Sequence, residues 1–204
     1  MKLKGKLLIL FLIVLIAGLG FWFYNNKMKT TNTITTKKVS DSIEGYGYTL
    51  DNNKSEIYKK YFKQLKEVLS SDPVDENKYL ELISKMLIID LYSLDNKIDN
   101  NDIGGVEFVY SGVVDNYKAK MADTIYMNIE SNLYGKRKQK LPMVKDVTVD
   151  DVKTVPYYYL NGKSDNSAYQ VKVSWEYQEN MGYDRQTTLY FVHENNKLSL
   201  VEMK

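Results

Sequence analysis

The 204-residue chain contains no cysteine and a single histidine, His193. Without cysteine there is no disulfide framework, no thiolate zinc site, no cysteine nucleophile and no lipid-modified cysteine anchor. One histidine excludes any metal motif built on a pair of imidazoles. An excess of charge is missing too: 28 Lys and Arg stand against 26 Asp and Glu, net +2. Residues 1–24 hold three lysines and no acid, so residues 25–204 carry 25 positive and 26 negative charges, net −1. A body so nearly neutral has no electrostatic footprint for nucleic acid, which is not expected as a partner. What is present is the composition of a globular domain, 44% hydrophobic and 26% charged, in a length that fits one domain. The aromatic share of 13% is carried mostly by 18 tyrosines.

The longest apolar feature is an uncharged run of 18 residues from Leu7 to Tyr24, preceded by Lys2, Lys4 and Lys6. As a helix it would rise about 27 Å, close to the roughly 30 Å of a bilayer's hydrocarbon core. Phe21, Trp22, Phe23 and Tyr24 close the run, and such amphipathic rings favour the membrane interface. Gly18 and Gly20 also form the small-x-small pair of a cleavable signal peptide. The apolar run continues past that pair into the aromatics, which favours an uncleaved anchor. The positive-inside comparison is near a tie, with Lys27, Lys29, Lys37 and Lys38 on the far side. A short basic head before the first apolar run resembles a signal anchor, so residues 1–6 are expected in the cytoplasm, residues 7–24 in the cell membrane and the body outside. Residues 25–43 read as a polar tether, and residues 44–204 as the globular domain.

Periodicity divides that domain in two. Asn53 is expected to cap a first helix with a stripe at Ile57, Tyr58, Tyr61, Phe62, Leu65, Val68 and Leu69, ended by Asp72-Pro73. Asp75 is expected to cap a second, with Val74 and Tyr79 as a hydrophobic staple and an apolar set through Tyr92 too broad for a surface helix. A polar loop from Asp95 to Asp102 leads to Gly104-Gly105. A third helix is then expected from about Val113 to Leu133, stopped by Gly135. The second half reads as strands. Met143–Leu160 forms one long strand or two broken near Asp150-Asp151, with Pro156 marking an edge or bulge. Tyr169–Tyr177 alternates strictly, and Thr187–His193 and Leu198–Met203 complete a meander through turns at 180–182 and 194–196. The fold class is α+β: about three helices on one face of a curved antiparallel sheet of about four strands.

Candidate chemistry is sparse. His193 lies in phase with Leu189 and Phe191, and the sequence assigns it no partner of the kind a general base needs. Asp95, Asp99, Asn101, Asp102 and Gly104 have the oxygen donors of a calcium loop. In the EF-hand frame begun at Asp99, however, the fifth and twelfth positions are Ile103 and Tyr110, so an Asx-rich turn with Asp102 as a cap is the reading. Lys136-Arg137-Lys138-Gln139-Lys140 suits a helix C-terminus and also a membrane-surface or acidic-partner contact. Tyr157-Tyr158-Tyr159 must turn at least one phenol outward, and tyrosine is enriched at interfaces. Tyr157, Tyr158, Tyr159, Lys136, Arg137 and Lys138 are therefore the candidate partner surface. No catalytic residue, metal ligand or cofactor site is expected.

Helices followed by a four-strand meander resemble, in element order over residues 44–204, the nuclear transport factor 2-like fold, a cone-shaped α+β domain. With a short cytoplasmic head, one span and a tether, the layout is similar to the bitopic inner-membrane subunit of type IV secretion and conjugation machines. The resemblance rests on architecture and transfers no residue role. It implies a non-enzymatic assembly role through self-association and contacts with envelope proteins. The alternative is a small-ligand or enzymatic domain using the cone as a pocket.

Overall fold

The computed structural model describes residues 15–22, 34–159 and 162–204. The chain divides into two compact units, Met1–Ile34 and Thr35–Lys204. In the first, the described residues 15–22 are helical and exposed. Leu7 to Val14 and the expected interface residues Phe23 and Tyr24 lie outside the described residues, while Phe21 and Trp22 are within them. Among the described residues no helix is long and apolar enough to cross a membrane.

The second unit opens with an antiparallel hairpin of β1 (Val39–Ile43) and β2 (Tyr48–Asp51), turning through Gly45 and Gly47, both at positive φ. This shortens the expected tether. Thr35 is already held by its N–H to Leu133 O at 2.7 Å. α1 (Glu56–Leu69) and α2 (Glu76–Tyr92) follow. The α1 cap is Ser55, whose hydroxyl accepts from Tyr58 N, and not Asn53. Asn53 belongs to the turn that closes the hairpin, where Asn52 N reaches Lys38 O and Lys54 N reaches Asp51 O, so helical geometry begins only afterwards. Asp75 caps α2 as expected, accepting from Lys78 N at 3.0 Å.

Tyr58, Phe62, Leu65 and Leu69 form the buried stripe of α1. α2 is buried on nearly every side because α1 packs against it and strands of the sheet lie across it. Its buried serine, Ser84, is satisfied by Leu80 O at 2.7 Å. After two short 3-10 turns comes α3, Val114–Asp123, half the expected length. Beyond Asp123 the chain turns so that Tyr126 enters the core, where its hydroxyl donates to Leu91 O and accepts from Gly104 N. Those two bonds and the burial of Tyr126 outweigh the local helical period that would have carried the helix to Leu133.

The sheet is a meander, β3 (Val144–Tyr158), β4 (Ser164–Tyr177), β5 (Gln186–Glu194) and β6 (Lys197–Met203), in sequence order and antiparallel throughout. β3 is continuous. Asp150-Asp151 is a bulge within it, and Pro156 lies at the last of three register shifts on this edge strand. Val171, Val173, Trp175 and Tyr177 of β4 point to the helices, with Tyr92 against Trp175 at 4.5 Å between ring centroids. The fold is thus α+β as read, with a two-strand sheet added.

The loop after α2 is locked to it by charge. Asp90 is buried, with Oδ1 2.8 Å from Lys97 Nζ and 2.6 Å from Lys54 Nζ, and Oδ2 accepting from Gly105 N at 2.8 Å. Burial alone would raise the carboxyl, but the two ammonium groups overcome it and hold Asp90 well below the usual carboxylate range. Gly104 passes so close that a Cβ would lie 2.1 Å from Asp90 O and 2.7 Å from Lys97 Nζ. Asp102 caps no following helix. Its carboxylate turns back to accept from Ile98 N and to pair with Lys37 Nζ. Asp90→Ala, which leaves Lys97 buried without its partner, is expected to lower stability by about 3–5 kcal/mol. Gly104→Ala is expected to lower it by about 2–3 kcal/mol through backbone overlap. Urea unfolding monitored by tryptophan fluorescence checks both.

Candidate functional site

The expected partner surface is divided by the fold. β3 starts next to the basic loop and carries the tyrosine triplet at its far end, roughly 45 Å away along 15 residues of strand. In the triplet, Tyr158 is 73% exposed. Tyr157 and Tyr159 are half-buried on the opposite face, edge to face at 5.3 Å, and Tyr110 packs on Tyr159 at 5.5 Å. Alternation along an extended chain thus leaves one ring outside, as the sequence required. A large share of the tyrosine excess serves the interior. Tyr48, Tyr58, Tyr79, Tyr92, Tyr117, Tyr126 and Tyr177 are all buried. Several of their hydroxyls are satisfied inside, including a 2.5 Å contact between Tyr48 and Tyr79.

In the basic loop, the side chain of Arg137 is 2% exposed and turned inward. Its guanidinium donates to Lys97 O at 2.9 Å, Glu130 O at 3.3 Å and Asp95 O at 2.6 Å. Gln139 is also turned in, donating to Asn128 O and accepting from Glu130 N. Lys136, Lys138 and Lys140 are exposed.

A cluster of titratable groups beside a cleft surrounds His193. The inner face of β5 ends at Phe191, and His193 lies just beyond it, at the rim. Nδ1 is 2.9 Å from Asp165 Oδ2, and Nε2 is 3.2 Å from Glu76 Oε1 at the start of α2. The Tyr169 hydroxyl donates to the same Glu76 oxygen. Tyr46, Val74, Tyr79 and Lys197 line the adjacent cleft. Burial, the largest single influence, pulls the imidazole down, but the hydrogen bonds and charges of Asp165 and Glu76 together prevail and raise its pKa above the ordinary value. Both ring nitrogens face carboxylates, so the protonated ring, which donates from both, clasps α2, β4 and β5 together. A general base would need a nitrogen left for a substrate. The sequence showed the histidine but not its partners, because Asp165 and Glu76 lie 28 and 117 residues away and reach it only through the fold.

Nearby, Glu107 accepts from the Tyr58 hydroxyl at 2.7 Å and from Thr49 N at 2.9 Å. Burial raises its pKa in spite of those bonds. Lys197 lies over the Tyr48 ring at 4.6 Å and donates to Glu107 O, with burial lowering its pKa. Among the described residues no three His, Asp or Glu side chains are placed to hold a metal ion. No family model, no curated protein and no solved structure matches this chain.

The sign of the His193 effect follows from its raised pKa. The stabilisation is complete below the unfolded value of about 6.5 and disappears as pH rises through the higher folded value. His193 is 37% exposed, so solvent screening keeps the effect below about 1 kcal/mol. His193→Gln is expected to lower the urea midpoint at pH 5.5 and to leave it nearly unchanged at pH 9.

Proposed function

We propose that this protein is a single-pass membrane protein whose α+β body is an extracytoplasmic interaction domain without catalytic chemistry of its own. The observation that carries the membrane half is the uncharged run Leu7–Tyr24, between Lys2, Lys4 and Lys6 on one side and four aromatics within its far end. Support for the interaction half comes from the interior. The space between α2 and the inner sheet face is filled by Leu, Ile, Val and aromatic side chains, and the buried acids and lysines beside it are paired with one another. A pocket enzyme would need an unengaged acid or base directed into a cavity.

After the opening hairpin, the order of helices and then a four-strand meander supports reading the body as a cone-like domain resembling the nuclear transport factor 2-like fold. On that reading the body is an assembly module, comparable in layout to the bitopic subunits of secretion and conjugation machines. It works through self-association or contacts with envelope proteins, and Tyr158 at the β3–β4 tip is an exposed aromatic offered to such a partner.

The full chain is expected to stay with the membrane fraction through an alkaline wash, and a reporter fused after Lys204 is expected to work only outside the cell. Cross-linking in intact membranes is expected to trap a homo-oligomer or a partner, less of it in Tyr158→Ser. Recovery in the wash overturns the anchor, and a purely monomeric product overturns the assembly role.

A further inference from the structure

We propose that the face formed by Tyr134, Lys136, Lys138 and Lys140 lies flat on anionic lipid headgroups, making this end of the body the one that meets the bilayer. The inference rests on the membrane anchoring proposed above and adds the orientation of the folded body.

Three observations combine. The first is where the chain enters. Thr35 N donates to Leu133 O at 2.7 Å and the Thr35 hydroxyl to Asn132 O at 3.3 Å, which fixes the first residue of the body on the turn that precedes the lysines. Lys37, paired with Asp102, fastens the next residues to the same region. Only residues 25–34 remain between the apolar run and this turn, so even fully extended they span no more than about 35 Å.

The second is the side-chain pattern. Residues 136–140 are neither helix nor strand, and burial alternates along them: Lys136, Lys138 and Lys140 are exposed, while Arg137 and Gln139 are turned in. The Arg137 bonds to Lys97 O, Glu130 O and Asp95 O, with those of Gln139 to residues 128 and 130, hold the loop flat from behind. Three exposed lysines are thereby carried on a braced support.

The third is composition. Residues 128–140 contain four basic residues and one acid, Glu130, net +3, in a body that is otherwise slightly acidic. Tyr134 is 50% exposed and Met127 58%, so an interfacial aromatic and an apolar side chain accompany the lysines. A surface of negative headgroups matches a flat basic face with an exposed tyrosine, and each lysine contributes roughly fivefold to such docking.

The chain has no cysteine, so single introduced cysteines can be labelled uniquely. The full chain would be placed in nanodiscs of phosphatidylcholine, or of phosphatidylcholine and phosphatidylglycerol at about 7:3, with an environment-sensitive fluorophore at Tyr134→Cys or, at the far end of β3, at Tyr158→Cys. The expected result is a severalfold brighter, blue-shifted signal at position 134 in the anionic discs only, with position 158 the same in both. The rise should be lost in the Lys136→Gln/Lys138→Gln/Lys140→Gln background, whose urea midpoint should match the parent's. It should also be lost in 1 M salt, where the screening length falls to about 3 Å. A chain that co-elutes with both discs in 1 M salt but shows identical position-134 signals in the two lipids would overturn this orientation and leave the anchor standing. A chain that fails to co-elute with either disc would overturn both.

Discussion

The interaction on which the rest of the body depends is the buried carboxylate of Asp90, gripped by Lys54 from before α1, by Lys97 from the loop after α2 and by the Gly105 N–H. Lys54 comes from the hairpin exit and the other two partners from the loop after α2, so this one charge joins the hairpin exit, the end of the central helix and the following loop. A buried ion pair seldom adds net stability over apolar packing, but removing one member is costly, which makes it a device of specificity. Here the specificity is topological. With Asp90 satisfied, Gly104 lies against α2, and the Tyr126 and Tyr117 hydroxyls bond to the Gly104 backbone and hold the segment after α2 in place. The short α3 and the inward turn at Tyr126 follow from that closure.

What could be read in advance was what is local. The Asp75 cap, the stripe of α1 and the alternation of β4 each depend on neighbours within a few residues, and each was legible. The Asn53 cap failed because the hairpin that claims Asn53 was hidden. Val39–Ile43 is a polar five-residue strand, mostly exposed, with too little apolar alternation to announce itself. The overlong third helix had a genuine period at Met121, Ile125, Ile129 and Leu133, but the Tyr126 hydroxyl has its partner 35 residues back, beyond any local pattern. The clasp at His193 is more remote still, with partners 28 and 117 residues away. Of the proposed surface, residue types were visible and placement was not. Nothing in Lys136-Arg137-Lys138 says that the middle cation turns inward, and nothing in the sequence says that the tyrosines occupy the other end of the same strand.

That separation gives the body two chemically distinct ends. One holds the entry of the chain, three outward lysines and Tyr134; the other holds Tyr158 at a β-hairpin tip. β3 connects them as an edge strand, the part of a sheet most prone to unplanned pairing with another chain. Its register shifts at residues 144–146, 149–151 and 155–157, its adjacent acids Asp150 and Asp151, and Pro156 are the features that keep an edge from adding further strands. On the assembly role proposed above, a strand so guarded along its length but ending in an exposed tyrosine would confine recognition to the tip. Were the body held by that first end at a membrane, as proposed, recognition at the opposite end would let a partner be engaged without competing with the lipid surface for the same residues.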